Sequence, residues 1–399
     1  MTPFARNAIV LGLLSAVGPF AIDMYLPALP AIAADLHATT AATQMTLTVF
    51  FIAFGLCQLV YGPLSDVYGR KAPLYAGLAL FTLGSIGCAL APGIGALIAF
   101  RFIQGLGAAA MAVIPRAIVR DLHTGTEATR LMALMMLVFS VCPILAPLFG
   151  SALIVPFGWR AVFAAVTVAS LIGVALVATL LPETRPAEER ISGNVRNVFG
   201  AFALLLRDRH FLGLTFIGGL GMSSFFAFLA TSSFVYIGHY GLTPTQYSLA
   251  FSVNAIGFIG ASQFAGRLGE RFGMGRMVLT AVSLYAGFAA LLFVLTLAGF
   301  DSLRVLIPLL FTSFAFLGLV IPSTMVLALE QHGPIAGIAA ALGGTLQMVI
   351  GGVMIAIVGL FFDGTTLPMV STIALTAAAA LLVSLATLRK NELATAAAE

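Results

Sequence analysis

Twelve apolar runs of about twenty residues recur along this chain, and they constrain its fold more than any other feature. A helix of this length crosses the roughly 30 Å hydrocarbon layer of a bilayer and satisfies its own backbone hydrogen bonds. The runs cover residues 8–29, 43–64, 73–91, 96–118, 131–155, 161–181, 210–236, 246–266, 277–298, 304–328, 335–361 and 367–388. The alternating ten-residue pattern of a membrane β-barrel is missing. The sequence therefore predicts an all-α membrane protein with twelve transmembrane helices.

Composition supports this class. Sixty per cent of the residues are hydrophobic and nine per cent are charged, whereas about a quarter of the residues in soluble domains are charged. The three cysteines, Cys57, Cys88 and Cys142, fall inside predicted spans without the spacing of metal ligands, so we expect apolar packing and no metal site.

The distribution of basic residues predicts the orientation. If both termini lie on one side, 16 of the 19 lysines and arginines fall on that side, and only Arg160 and Arg304 fall in opposite loops. Short cytoplasmic loops retain basic residues, so both termini are predicted to be cytoplasmic. This topology accounts for the net charge of +4 without nucleic-acid binding.

The chain divides into two halves in its sequence. The polar segment 182–209 separates six predicted spans in 1–181 from six in 210–399. GPLSDVYGRK, starting at Gly62, and GRLGERFGMGR, starting at Gly266, align at a constant offset. We therefore predict two pseudosymmetric six-helix bundles joined by a cytoplasmic linker, with a binding site where the repeats meet.

Four motifs resemble one family. GPLSDVYGRK at 62–71 and RFIQGLGAAA at 101–110 are similar to the loop and fourth-helix motifs of the major facilitator superfamily. FAIDMYLPALP at 20–30 and LPET at 181–184 narrow the resemblance to bacterial drug:proton antiporters of the bicyclomycin and chloramphenicol resistance type. The resemblance implies efflux of small antimicrobials in exchange for protons, with no cofactor.

Helix 5 resembles the antiporter motif of that family imperfectly. SVCPILAPLFGS contains Pro143, Pro147 and Gly150, but Ala146 precedes the second proline and Ser151 follows the glycine. Small residues still occupy the expected places. A proline-kinked helix with a small-residue face is suited to close packing and to acting as a hinge.

The loop after helix 2 is a candidate conformational latch. Gly62 would allow a neighbouring helix to approach closely, and Gly69 would permit a tight turn. Arg70 would keep the loop on the cytoplasmic side. The resemblance implies that Asp66 faces the start of helix 11, at 333–337. It further implies that Glu270, the equivalent of Asp66 in the second half, faces the start of helix 5. The alternative is a solvated turn that only sets the topology.

Asp23 and Arg101 are the candidate proton-coupling residues. Both are predicted roughly 8 Å below the outer end of a helix, where they could be partners directly or through water. Apolar surroundings strengthen proton binding by a carboxylate and a nearby arginine weakens it, so small rearrangements can load and unload a proton. The alternatives are a structural salt bridge and an arginine that reaches the outer headgroups.

The predicted substrate surface is apolar and aromatic, with a few amides. It suits a neutral or weakly polar aromatic molecule, although each of these side chains could instead serve helix packing. The candidates are Met24, Tyr25, Gln104, Phe225, Phe226, Phe228, Tyr236, Asn254 and Gln347.

The leading prediction is a monomeric antiporter of the bacterial inner membrane that exports small hydrophobic drugs. The alternative is a proton-coupled exporter of a sugar, nucleoside or amino acid. A cavity rich in paired polar groups would favour this alternative, and the sequence shows few such groups. The five histidines are scattered at loops and helix ends, which argues against an enzyme. A channel would not need the repeat of six plus six helices. The sequence contains no nucleotide-binding loop, so the predicted energy source is an ion gradient.

Overall fold

The computed structural model describes residues 3–186, 188 and 195–396 of the chain. The regular structure in these ranges is helical, and they contain no strand. The predicted linker therefore lies partly outside the described residues, as do residues 1–2 and 397–399. The chain forms two compact units, one of Met1–Asn194 with Thr243–Leu249 and one of Val195–Leu242 with Ala250–Glu399.

The described part of the first unit is built from one short and six long helices. They are α1 (Pro3–Asp23), α2 (Leu29–Asp35), α3 (Thr40–Tyr68), α4 (Lys71–Ala89), α5 (Ile94–Leu122), α6 (Gly125–Phe157) and α7 (Arg160–Leu180).

The first span is broken in its interior. α1 ends at Asp23, a 3₁₀ turn covers Leu26–Ala28, and α2 completes the span at Asp35. Proline has no N–H, so Pro27 cannot donate to the carbonyl of Asp23 four residues earlier. The predicted end near residue 29 was therefore wrong, and Asp23 lies deeper in the span than the sequence suggested.

Glycine lets α5 pack tightly against α3 and α4. A Cβ on Gly105 would lie 2.5 Å from the Phe50 carbonyl oxygen, and one on Gly107 would lie 2.4 Å from the Gly77 carbonyl oxygen. Both neighbours are backbone atoms, which cannot move aside as a flexible side chain can. The small residues of the 101–110 motif therefore set how deeply Arg101 sits in the bundle.

The described residues from 195 onward form one short amphipathic helix, a bent pair and five long helices, and they belong to the second unit except for Thr243–Leu249. They are α8 (Val195–Leu205), α9 (Arg209–Ser233), α10 (Pro244–Ser262), α11 (Ala265–Phe272), α12 (Met274–Leu297), α13 (Leu303–Glu330), α14 (Ala336–Phe361) and α15 (Thr366–Ala396).

The described helices account for twelve candidate spans. Eleven are single segments of the chain, and α10 with α11 forms a twelfth that is bent by 41°. The first of the eleven includes the break after Asp23, and the seventh extends through a π-helical turn at Phe234–His239. The predicted all-α membrane fold is confirmed.

The sequence repeat has a local structural counterpart in each unit. Gly69 follows the end of α3 with a φ of 85°, and Gly273 follows the end of α11 with a φ of 83°. Residues with a Cβ rarely adopt this left-handed region, whereas glycine does so at little cost. The two glycines therefore produce the same kind of helix-ending turn.

Candidate functional site

Asp23 is a buried acid at the break in the first span. It is the last residue of α1, and only 5% of its surface is exposed. Met24 and Tyr25, which follow it, are buried as well. A buried carboxyl group needs a proton, a hydrogen-bonding partner or a nearby cation. The position therefore has the burial that a proton-binding acid requires.

Arg101 on α5 is completely buried in the same unit. Its Nη1 donates to Oε1 of Gln104 at 2.5 Å and to the carbonyl oxygen of Ala21 at 3.3 Å. Its Cζ lies 4.7 Å from the centroid of the Tyr25 ring and 4.3 Å from that of Phe50. Aromatic faces attract a guanidinium, so these rings stabilise the buried charge in part.

Arg101 has no direct acidic partner in the part of the chain that the structure describes. No ion pair within 4.0 Å joins it to Asp23, so the direct contact that the sequence allowed is not formed. Its Nε and Nη2 atoms are buried and donate to no hydrogen-bond acceptor among the described residues. Two donor nitrogens of Arg101 are therefore left without a hydrogen bond, while Nη1 contacts the carbonyl of Ala21 beside the helix break.

Gln104 lies between Arg101 and α4. Its Oε1 accepts from Arg101, and its Nε2 donates to Oγ of Ser85 at 2.7 Å. Gln104 and Ser85 are both completely buried. These contacts occupy both ends of the amide, so the predicted substrate-binding role of Gln104 competes with a role in holding Arg101.

The small-residue face of α6 contacts the segment that follows Asp23. A Cβ on Gly150 would lie 2.2 Å from the carbonyl oxygen of Met24. α6 continues as a helix through Pro143 and Pro147, and the ring of Phe149 lies 6.2 Å from that of Phe20. The close-packing surface that was predicted for the fifth span, which is α6 in the structure, therefore faces the helix break.

The aromatic candidates of α9 pack within the second unit. Phe225 stacks on Phe258 at a centroid distance of 5.4 Å. Phe228 stacks on Phe251 at 5.5 Å and lies 5.2 Å from Phe314. Phe225 is half-buried and Phe228 is completely buried. The structure thus gives these rings packing partners, and substrate binding by them stays a prediction.

The remaining substrate-binding candidates of the second unit also have packing partners within that unit. Tyr236 is buried in the π-helical turn, beside the side chain of Asn254. The ring of Phe226 occupies the space that a side chain at residue 351 would fill, which is free because this residue is Gly351. The side chain of Gln347 packs against Gly218 in the same way.

An apolar groove lies between α9, α14 and α15. Its volume is about 460 Å³, and it includes Leu220, Met354, Phe361 and Leu375 among its lining residues. None of the predicted substrate-binding residues lines it.

The loop after α3 is held by charged groups of its own unit. Arg70 makes a bidentate contact with Asp121 at 2.7 and 3.1 Å and donates to Asp66 at 2.7 Å. Asp66 also accepts from Arg185 at 2.9 Å. Gly62 is not a point of close approach, because a Cβ there would lie 4.0 Å from its nearest neighbour, Val113. That detail of the latch prediction was wrong.

Glu183 is a structural residue that the sequence reading missed. Its carboxylate accepts from the backbone N–H groups of Arg70 and Lys71, at 2.8 and 3.1 Å, where α4 begins. An anion at this place complements the positive end of the helix. The only signal was the LPET motif, which served as a family marker. Glu270, by contrast, is exposed near the end of α11.

Replacing Glu183 with glutamine should lower stability. Burial by itself would raise the pKa of Glu183, but the backbone donors outweigh it and hold the pKa below its ordinary value of 4.5. The carboxylate therefore stabilises the fold above about pH 4.5, and this contribution is lost as the pH falls through the folded-state pKa. We expect a cost of about 1 kcal/mol at neutral pH, since the group is partly exposed.

Thermal unfolding of detergent-purified protein across a pH series measures this effect. The exposed Glu188 offers a control, Glu188→Gln, that removes a nearby charge. The stability difference between Glu183→Gln and wild type should shrink in acid. Equal stability at neutral pH would contradict the role of Glu183.

Twelve candidate spans in the described residues define the class of a polytopic membrane protein. The sequence matches the Major Facilitator Superfamily over residues 11–356, and the chain belongs to this family.

Two relatives and one solved structure are informative. The chain is 31% identical over 369 residues to a bicyclomycin resistance protein homolog of Haemophilus influenzae, with 91% of each chain covered. It is 30% identical over 289 residues to a chloramphenicol resistance protein of Pseudomonas aeruginosa, covering 70% of this chain and 68% of that one. These relatives confirm the predicted resemblance to the drug-resistance branch. A D-xylose-proton symporter matches with a TM-score of 0.74 at 15% identity over 96% and 97% of the two chains, which shows the fold alone.

Proposed function

We propose that this chain is a proton-coupled antiporter that exports small hydrophobic antimicrobials, chloramphenicol-like compounds among them, by alternating access. The observation that carries the proposal is the presence of a buried acid, Asp23, and a buried arginine, Arg101, in one unit. An ionisable residue inside a membrane span is costly and usually serves function. The drug-resistance names of the two relatives support the substrate class.

The coupling step rests on two opposing effects. A carboxyl group in apolar surroundings favours its neutral form, whereas a nearby guanidinium favours the anion. Arg101 reaches the carbonyl of Ala21, two residues before Asp23, and has two further nitrogen atoms that can donate hydrogen bonds. A small change at the helix break would bring carboxylate and guanidinium together or separate them. Asp23 would thereby release or bind a proton.

In this proposal the neighbourhood of Asp23 in the first unit and the aromatic side chains of the second unit each supply groups that bind substrate. Met24 and Tyr25 would contribute from the first unit, and Phe225, Tyr236 and Asn254 from the second. Apolar and aromatic groups with a few amides suit neutral aromatic drugs. Asp66 and its arginine partners would act as the latch, and Pro147 with Gly150 as the hinge.

The chain would act as a monomer in the bacterial inner membrane, with both termini in the cytoplasm. The excess of basic residues on one side of the predicted spans supports this orientation.

A resistance panel in a pump-deficient bacterium tests the proposed function. Expression of the chain should raise the inhibitory concentrations of small, neutral, hydrophobic antimicrobials, and collapse of the proton gradient should abolish the effect. The same strain, loaded with labelled sugars, nucleosides and amino acids, tests the alternative. Unchanged drug sensitivity together with export of one of these metabolites would overturn the proposal in favour of a metabolite exporter.

A further inference from the structure

The contacts around Arg101 form two arms that end on different helices. One arm is polar and runs through Gln104 to Ser85 on α4. The other is aromatic and consists of Tyr25 and Phe50, whose rings lie against the guanidinium. Together they restrict a side chain that is long and flexible when unrestrained.

The hydrogen atoms of the polar arm have one consistent assignment. Ser85 donates its hydroxyl hydrogen to the carbonyl oxygen of Phe81 at 2.7 Å, so its lone pairs are left to accept from Gln104. The NH₂ group of Gln104 must then face Ser85, and its oxygen must face Arg101. A flipped amide would place two donors against the guanidinium. Ser85 therefore determines which end of Gln104 the arginine meets.

Close backbone packing keeps this arm short. A Cβ on Gly84 would lie 2.6 Å from the backbone nitrogen of Gln104, so α4 and α5 touch beside the hydrogen bond. Ser85 follows this glycine directly and is completely buried. The serine hydroxyl is therefore held at the amide by the contact between the two helices.

The aromatic arm is anchored in the same way. Thr46 donates its hydroxyl hydrogen to the carbonyl oxygen of Thr43 at 2.5 Å, so the Tyr25 hydroxyl donates to Thr46 at 2.8 Å. This bond fixes the tyrosine ring over the guanidinium. Because the polar arm engages Nη1, the unpaired Nε and Nη2 form the remaining edge of Arg101.

Other groups that titrate also face this site. Tyr25 and Cys88 lie near Arg101, and Cys142 on α6 lies near Asp23. α3 and α7 present the rings of Phe50 and Phe163 to the guanidinium.

We propose that Ser85 and Gln104 are positioning residues, which hold Arg101 so that its unpaired edge is available to the deprotonated carboxylate of Asp23. The inference rests on the proposed proton-coupled function. Neither residue exchanges a proton, and both act through the arginine. Loss of the arm lets the guanidinium move, so the anionic form of Asp23 is stabilised less. Proton release then requires a higher pH.

Two variants and one matched control test the positioning role. Ser85→Ala removes the hydroxyl that orients Gln104. Gln104→Glu keeps the shape of the side chain but puts a carboxylate in contact with Arg101. The negative charge of this carboxylate offsets the positive charge of the arginine, so the arginine stabilises the anion of Asp23 less. Thr82→Ala is the control, because Thr82 is a buried hydroxyl one turn earlier on α4 that contacts Ser170 at 2.8 Å and not the arginine arm.

The readout is the rate of proton-driven drug transport in proteoliposomes as a function of pH. We expect Ser85→Ala to shift the midpoint of the profile to higher pH by about 0.5 to 1 unit, and Gln104→Glu to shift it further in the same direction. The KM of Ser85→Ala for a neutral drug should stay at the wild-type value, and Thr82→Ala should reproduce the wild-type profile. A purely structural role would lower the rate without moving the midpoint.

Profiles of both variants that superimpose on the wild-type profile would overturn the inference and leave the proposed function in place. Drug transport by the wild type that ignores the imposed gradient would overturn the proposed function, and the inference with it. Only protein that elutes as a single symmetrical peak in size-exclusion chromatography is reconstituted. If Ser85→Ala fails this criterion, the midpoint of Gln104→Glu decides.

Discussion

Proteoliposomes that contain Asp23→Asn should equilibrate a neutral drug across the bilayer but should not accumulate it in response to a pH gradient. Asparagine keeps the size and polarity of the side chain and removes its titration. A carrier that cannot bind a proton at this step has no means of linking drug movement to the gradient. The drug concentration should therefore become equal on the two sides, and addition of drug should release no protons.

Asp35→Asn is the matched control. Asp35 ends the same span, but it is exposed and pairs with Arg160 at 2.7 Å. Exposed ion pairs contribute little to stability. The Asp35 variant should keep gradient-driven accumulation. If Asp23→Asn accumulates drug as the wild type does, Asp23 is structural and the proton site lies elsewhere.

Gly150→Ala should impair both stability and transport. The added Cβ would lie 2.2 Å from the oxygen and 2.9 Å from the carbon of the Met24 carbonyl, which are backbone atoms. Either α6 or the broken segment must move, and overpacking of this kind costs about 1 to 3 kcal/mol. The displaced segment carries Asp23 at its start and Tyr25 against Arg101. We therefore expect a lower unfolding midpoint and a loss of transport beyond the loss of folded protein.

Gly18→Ala provides the control for a glycine substitution inside a helix. A Cβ there meets no atom within 4 Å, and alanine favours a helix over glycine by about 1 kcal/mol. Its unfolding midpoint should equal or exceed that of the wild type. The measurements are thermal unfolding in detergent and transport per folded molecule. Wild-type values for Gly150→Ala in both would show that α6 and the helix break do not need close contact.

The features that the sequence predicted correctly are those that depend on residues close together in the chain. The spans follow from the length of apolar runs, because any backbone in hydrocarbon must satisfy its hydrogen bonds within the helix. The turn at Gly69 follows from one residue type, because glycine tolerates its positive φ. The end of the first helix was misplaced by six residues because the apolar run continues past Asp23, although Pro27 removes the hydrogen bond that would extend the helix.

The candidate site could be predicted only in part, because most of its contacts join residues that are distant in the sequence. Asp23 and Arg101 stood out because charged residues are rare in apolar runs. Ser85 did not, since a serine in a span carries no signal until its partner is known, and that partner, Gln104, is 19 residues away on another helix. Glu183 lies more than a hundred residues from the backbone groups that it accepts from, at Arg70 and Lys71.

The sequence by itself determined the membrane class, the number of candidate spans and the positions of the rare buried charges. Each of these depends on the composition of a single segment in contact with lipid. The tertiary structure decided that Arg101 meets Gln104 and aromatic rings without a direct bond to Asp23, and that Gly150 faces Met24. Such contacts depend on the depth and rotation of neighbouring helices, which close packing between side chains sets and no single segment encodes.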